Sequence, residues 1–154
     1  MEPKTQVQAE NGKQELFITR VFDLPVESLF RAHIEPELLA QWMGTRVLNF
    51  EPRQHGSWRI ETPDAQGNVA FRAHGVFHTF EPNRRIVRTF EMENPLFAPQ
   101  LEFLEFEQVT DDTSKLTMQL LFQSVALRDQ LLKMPFAFGL NMAHDRLQSI
   151  FHST

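Results

Sequence analysis

The 154-residue chain contains no cysteine and no tyrosine. The first absence removes disulfides, thiolate metal sites and cysteine nucleophiles together, and it fits a reducing compartment. The second matters because phenylalanine is plentiful: 15 Phe stand beside 2 Trp, so the aromatic surface is built without phenolic hydroxyls. Rings lacking a polar handle suit a dry interior better than a wet recognition face. Positive charge is also scarce. With 15 Lys and Arg against 20 Asp and Glu the net charge is −5, and no broad basic field exists to attract phosphate backbones. Stacking on single strands would need such a groove, so no nucleic-acid partner is expected. No apolar run approaches membrane-spanning length, and the polar start "MEPKTQVQAENGKQ" has no signal core. The expectation is a soluble cytoplasmic protein without membrane insertion.

The length suits one compact domain with a single core. Residues 1–13 read as a flexible tail and 14–154 as that domain. "QELFITRVFD" (14–23) alternates Leu16, Ile18 and Phe22 with polar neighbours, the period of a half-buried strand. In "LPVESLFRAHIEPELLAQWM" the period changes. Pro25 suits a first helical position and Val26, Leu29 and Phe30 share a face; Pro36 restarts the pattern with Leu38, Leu39 and Trp42. Two short helices are predicted there.

From about 45 to 123 six strand-like segments follow, "RVLNF", "SWRIETP", "NVAFRAHGVFHTFEP", "RRIVRTFEME", "LEFLEFEQVT" and "SKLTMQLLFQ". The clusters "EPRQHG", "DAQGN", "PN", "NPLFAP" and "DDT" separate them as turns. Six strands and the first make an antiparallel sheet of about seven, enough to curl. At the end Phe136, Leu140, Ala143, Leu147 and Ile150 form one helical stripe, with Leu127, Leu131 and Met134 in a similar stripe upstream. Pro135 between them predicts a break, because proline removes an amide donor and crowds the preceding turn. The class is α+β: a curved antiparallel sheet around a long C-terminal helix, with two short helices after the first strand.

The segments "PVESLFRAHIEPELLAQWMG", "FEPRQHGSWRIETPDAQGN", "HGVFHTFEPNRRIVRTFE" and "GLNMAHDRLQSI", in this order and spacing, resemble the START-like, helix-grip (SRPBCC) superfamily. More narrowly they resemble its bacterial branch named after activators of the heat-shock protein 90 ATPase. The chain departs from that pattern in two places. His55–Gly56 stands where a Gly-Gly pair is typical, and His144 where a large aromatic or aliphatic residue is common. The resemblance implies a helix-grip fold with an apolar cavity between sheet and C-terminal helix. Relatives use that cavity for hydrophobic small molecules or lipids, some catalyse cyclisation or aromatisation, and the eukaryotic members assist a chaperone.

Under that fold Gly56 opens a strand on which Trp58 and Ile60 face inward, leaving Arg59 and Glu61 to water. Trp58 is then a core residue or a cavity wall, in equal measure. Ile86, Arg88, Phe90 and Met92 share one face, as do Leu116, Met118, Leu120 and Phe122. Phe71 and Phe77 face together unless a bulge at Gly75 reverses half the strand. In "LEFLEFE" Phe103 competes with Leu104 and Phe106 for the inside. The expected wall comprises Trp42, Trp58, Phe71, Phe90, Met118, Phe122, Phe136, Leu140 and Met142, a greasy and adaptable surface.

Arg88 interrupts an apolar stripe. It either reaches solvent or a carboxylate from near a strand end, or anchors an acidic or carbonyl-bearing ligand. Six histidines raise the question of a metal. His74 and His78 are four apart on a strand, about 13 Å between Cα atoms, too far to share one ion. No metal and no cofactor are expected, and no nucleophile elbow, phosphate loop or dinucleotide glycine pattern appears. His144, next to the inward stripe of the last helix, reads as partly exposed beside Asp145, with a pocket base as its sharper role.

Three readings of function follow, the first two of which use the cavity. In the first, it binds a hydrophobic or aromatic small molecule. In the second, Arg88, His74 or His144 steers proton transfer in a cyclisation, dehydration or hydrolysis. The third, a chaperone cofactor, rests on the family's name alone and is not the expectation for an acidic single domain. A homodimer is compatible with the pattern.

Overall fold

A computed structural model describes residues 4–94 and 96–152. The alternation of Leu16, Ile18 and Phe22 does form a strand, β2 (Glu15–Phe22), with those three residues buried. Ahead of it Gln6–Gln8 form a short edge strand, β1, which pairs antiparallel with β2 through Val7 and Ile18. This corrects the reading of 1–13 as a tail. Three residues give too short a pattern to register as a strand, and β1 forms because β2 offers it an open edge. Residues 1–3, 153 and 154 lie outside the described residues.

Two helices follow, α1 (Val26–Ile34) and α2 (Pro36–Met43). Glu35 between them is extended, as a residue before proline must be, and Pro36 starts α2 at a position where its missing amide costs nothing. Gly44 closes α2 in the left-handed conformation, φ 63°. The meander then runs β3 (Arg46–Phe50), β4 (Ser57–Pro63), β5 (Val69–Glu81), β6 (Arg85–Asn94), β7 (Leu96–Gln108) and β8 (Ser114–Leu121). The eight strands form one antiparallel sheet in the order β1-β2-β8-β7-β6-β5-β4-β3. Because β2 lies beside β8 and β3 is at the opposite edge, α1 and α2 carry the chain across the sheet. The count is one more than seven, the extra strand being β1.

Most expected turns are present. Thr110 accepts hydrogen bonds at its hydroxyl from the amides of Asp112 and Thr113, holding the β7–β8 connection. "NPLFAP" behaves otherwise. β7 already begins at Leu96, so four residues read as turn belong to a strand, and Pro95 lies outside the described residues. Proline and a mixed composition hid this strand start, and Phe97, which it buries, was missed.

Pro135 separates α3 (Val125–Leu132) from α4 (Phe136–His152), as expected. Ser124 caps α3 by accepting a hydrogen bond from the Leu127 amide. The core lies between the sheet's inner face and the helices. Phe30 meets Phe106 and Phe80 edge-on at 4.9 and 5.7 Å, and Leu147 of α4 is fully buried.

Candidate functional site: an apolar cavity with a buried ionic cluster

A cavity of about 340 Å³ lies between the sheet and the helices. The sheet supplies Ile18, Phe71, Arg88, Phe90, Met92, Phe97, Gln100, Glu102, Met118 and Leu120. Facing them are His33 of α1, Leu39, Trp42 and Met43 of α2, Leu131 of α3, and Phe136, Gly139, Leu140, Ala143, His144 and Arg146 of α4. Strand alternation puts most of the first group on one face, an irregularity in β7 opposite Phe90 and Met92 brings Phe97 to the same side as Gln100 and Glu102, and a spacing of three and four does the same for α4.

Of the ten residues expected at the site, seven line this cavity: Trp42, Phe71, Arg88, Phe90, Met118, Phe136 and Leu140. Three do not. Met142 is on the outer side of α4 with 45% of its surface exposed. It lies two residues beyond Leu140, about 200° around the helix. Phe122 is buried just past the end of β8, in the core. Trp58 is also buried in the core, behind the wall: its ring lies 5.4 Å from that of Phe90, and the Arg88 guanidinium carbon is 5.7 Å from its centroid. Gly75, directly opposite Trp58 in β5, makes room for that indole. A Cβ there would stand 2.7 Å from Trp58 Cζ2 and 1.9 Å from the Thr89 carbonyl oxygen. So Gly75 is no bulge. The alternation runs through it to Phe77, and the pairing with β6 slips between Phe77 and Thr79.

The polar part of the wall contains residues the sequence reading did not select. Arg88 does meet a carboxylate, but inside the cavity wall: its Nε donates to Glu102 Oε1 at 2.9 Å. Gln100 Nε2 donates to the other oxygen, Oε2, at 2.7 Å. The Arg88 and Glu102 side chains keep only 17% and 4% of their surface, so this is a largely dehydrated ion pair. Glu102 faces inward because β7 resolves its ambiguity in favour of Leu104 and Phe106, which are buried and share its face.

Two histidines line the same space. His33 Nδ1 donates to the Leu29 carbonyl at 2.9 Å, which leaves Nε2 as the acceptor nitrogen of a neutral ring. Burial pushes this imidazole down to about 4, and the nearby Arg88 charge adds to the effect, while the bond to Leu29 opposes it. His144 is buried rather than partly exposed, a correction with a clear cause. Its ring packs edge-on against Phe22 at 5.3 Å, and its Nδ1 is 2.7 Å from the Thr5 hydroxyl. Burial again dominates, with the charges of His33 and Arg20 behind it, and lowers His144 to about 3. Trp42 stands between the two imidazoles, 5.2 Å from His33 and 6.0 Å from His144, with Nε1 donating to the Ala32 carbonyl. His74, by contrast, lies on the outer face, bonded to Glu93 at 2.9 Å, and takes no part in the cavity. Among the described residues no three His, Asp or Glu side chains converge as a metal site would require.

Sheet, crossing helices and long final helix around a hollow define a START-like, helix-grip protein. The sequence profile described as "Activator of Hsp90 ATPase homolog 1-like protein" matches residues 23–152, and the chain belongs to that family. A crystal structure of a Rhodobacter sphaeroides protein superposes with a TM-score of 0.87 at 21% identity, covering 98% of this chain and 99% of that one. A solution structure from Arthrobacter aurescens gives 0.85 at 14% identity, covering 96% and 91%. Protein Ms6760 of Mycobacterium smegmatis gives 0.82 at 17%, covering 98% of each chain. At such identities the likeness is one of fold. No curated protein matches the chain. No described helix is long and apolar enough to cross a membrane.

Proposed function

We propose that the protein is a binding module for a small hydrophobic or aromatic molecule, with residues 14–154 acting as one START-like domain. The observation that carries this reading is the cavity itself, a partly open space walled mainly by rings, aliphatic side chains and thioethers. Its volume falls at the small end of the range of about 300–1,000 Å³ typical of ligand sites. That favours a compact guest of one or two rings over a two-chain lipid.

The test uses N-phenyl-1-naphthylamine, an uncharged probe that brightens in apolar surroundings. Its emission should rise saturably with protein. Gly139→Phe supplies the control, since Gly139 lines the cavity on the same helical stripe as Phe136 and Ala143 and a Cβ there meets nothing within 4 Å. Replacing glycine within α4 also favours the helix. This variant should fold at least as well as the parent and lose most of the probe signal. Equal brightening in both proteins would place the probe elsewhere and refute the assignment.

A further inference from the structure

Given the cavity reading, on which this inference rests, the wall chemistry narrows the guest further. Both oxygens of Glu102 are engaged from within, Oε1 by Arg88 Nε and Oε2 by Gln100 Nε2. The Arg88 charge is therefore already balanced. Yet its terminal nitrogens Nη1 and Nη2 have no acceptor among the described residues, and the side chain lines the cavity. The guanidinium offers donors without offering net positive charge. A guest carboxylate placed there would bring a second negative charge beside Glu102 into a largely dry wall, which is costly; Arg146, the other guanidinium on the lining, is exposed and donates its Nε to the Trp42 carbonyl. A neutral oxygen can accept from Arg88 without that penalty.

We propose that the Arg88–Glu102–Gln100 cluster is the head-group site of the cavity, and that it selects guests whose apolar body carries an uncharged oxygen acceptor, a ketone, ester or hydroxyl, over the corresponding carboxylic acids. Glu102 is the residue that sets this choice, by holding the local charge at zero.

The experiment compares 2-acetonaphthone with 2-naphthoate, nearly equal in shape, as displacers of N-phenyl-1-naphthylamine at pH 7.5. The parent protein should bind the ketone at least tenfold more tightly. An apolar wall alone also disfavours an anion, so the decisive reading is the change produced by Glu102→Gln. This nearly isosteric variant leaves Arg88 uncompensated and should shift the ketone-to-acid ratio toward the acid at least tenfold. Arg88→Gln combined with Glu102→Gln restores neutrality and should restore the ketone preference, with both affinities reduced. A ratio unmoved by Glu102→Gln overturns the inference, as does a parent protein that prefers the acid. If the probe binds but neither naphthalene displaces it, the head-group site falls and the cavity reading survives. If the probe itself fails to bind, both fall.

Discussion

Arg59 with Glu93 and Arg88 with Glu102 are the same chemical pair on opposite faces of one sheet. On the outer face Arg59 grips Glu93 with two bonds, 3.0 and 2.8 Å, and His74 joins the same carboxylate. On the inner face Arg88 makes a single 2.9 Å bond to Glu102. Counted by geometry, the outer pair is the better one. Counted by surroundings the order reverses, because Arg59 and Glu93 keep 46% and 25% of their side-chain surface against 17% and 4% inside. Water screens the outer pair and can replace either partner when the other is lost; the inner pair has no such substitute.

The largest expected consequence is therefore inside. Arg88→Met strands the Glu102 carboxylate in the wall and should cost about 3–5 kcal/mol, read from urea unfolding. A loss well below that would mean that water reaches Glu102 freely and the two faces are alike.

Next in size comes acid. The folded protein holds His33 near 4 and His144 near 3, whereas an unfolded chain titrates them around the ordinary 6.5. Between those limits the unfolded state takes up protons that the folded state refuses. Stability should thus be full above pH 6.5 and decline as the pH falls, by about 1.4 kcal/mol per pH unit for each imidazole. Between pH 7 and pH 5 the two together amount to roughly 4 kcal/mol, and His144→Gln should remove about half of that slope. A stability curve flat over this window would contradict the buried, neutral assignment.

The smallest effect is on the outer face, where Arg59→Ala should leave the urea midpoint essentially unchanged, and the more so in high salt. A clear destabilisation there would erase the contrast between the faces.

The same contrast explains how much of the molecule was legible in its sequence. Elements announced by a period were readable: the β2 alternation, the proline-started helices, the stripe of α4. Residues placed inside by neighbours rather than by their own polarity were not. Glu102 and Gln100 face inward because Leu104 and Phe106 fix the register of β7, and no property of a lone glutamate signals that. Arg20 is likewise buried on the inner face of β2, its Nη2 paired with Asp145 of α4 at 2.8 Å, 125 residues away. His144 depends on Thr5, across a contact of similar span. Such pairings exist only after folding, and a single sequence carries no trace of them. The departure at His55 has a local reason: this residue adopts φ 68°, the conformation for which glycine is best suited, and histidine is among the few others that tolerate it.

Thr5, on a stretch easily taken for packaging, is fastened to the lining of the hollow. The Thr5 amide donates to Asn141, its hydroxyl meets both Arg20 and His144, and the imidazole so held is itself part of the wall. Trimming the protein back to residue 14, just ahead of the first long strand, would unlatch that histidine and take one acceptor from the buried Arg20 guanidinium, leaving it to Asn141 and Asp145. Whatever the hollow holds, its shape is set partly by a stretch of chain that never touches the guest.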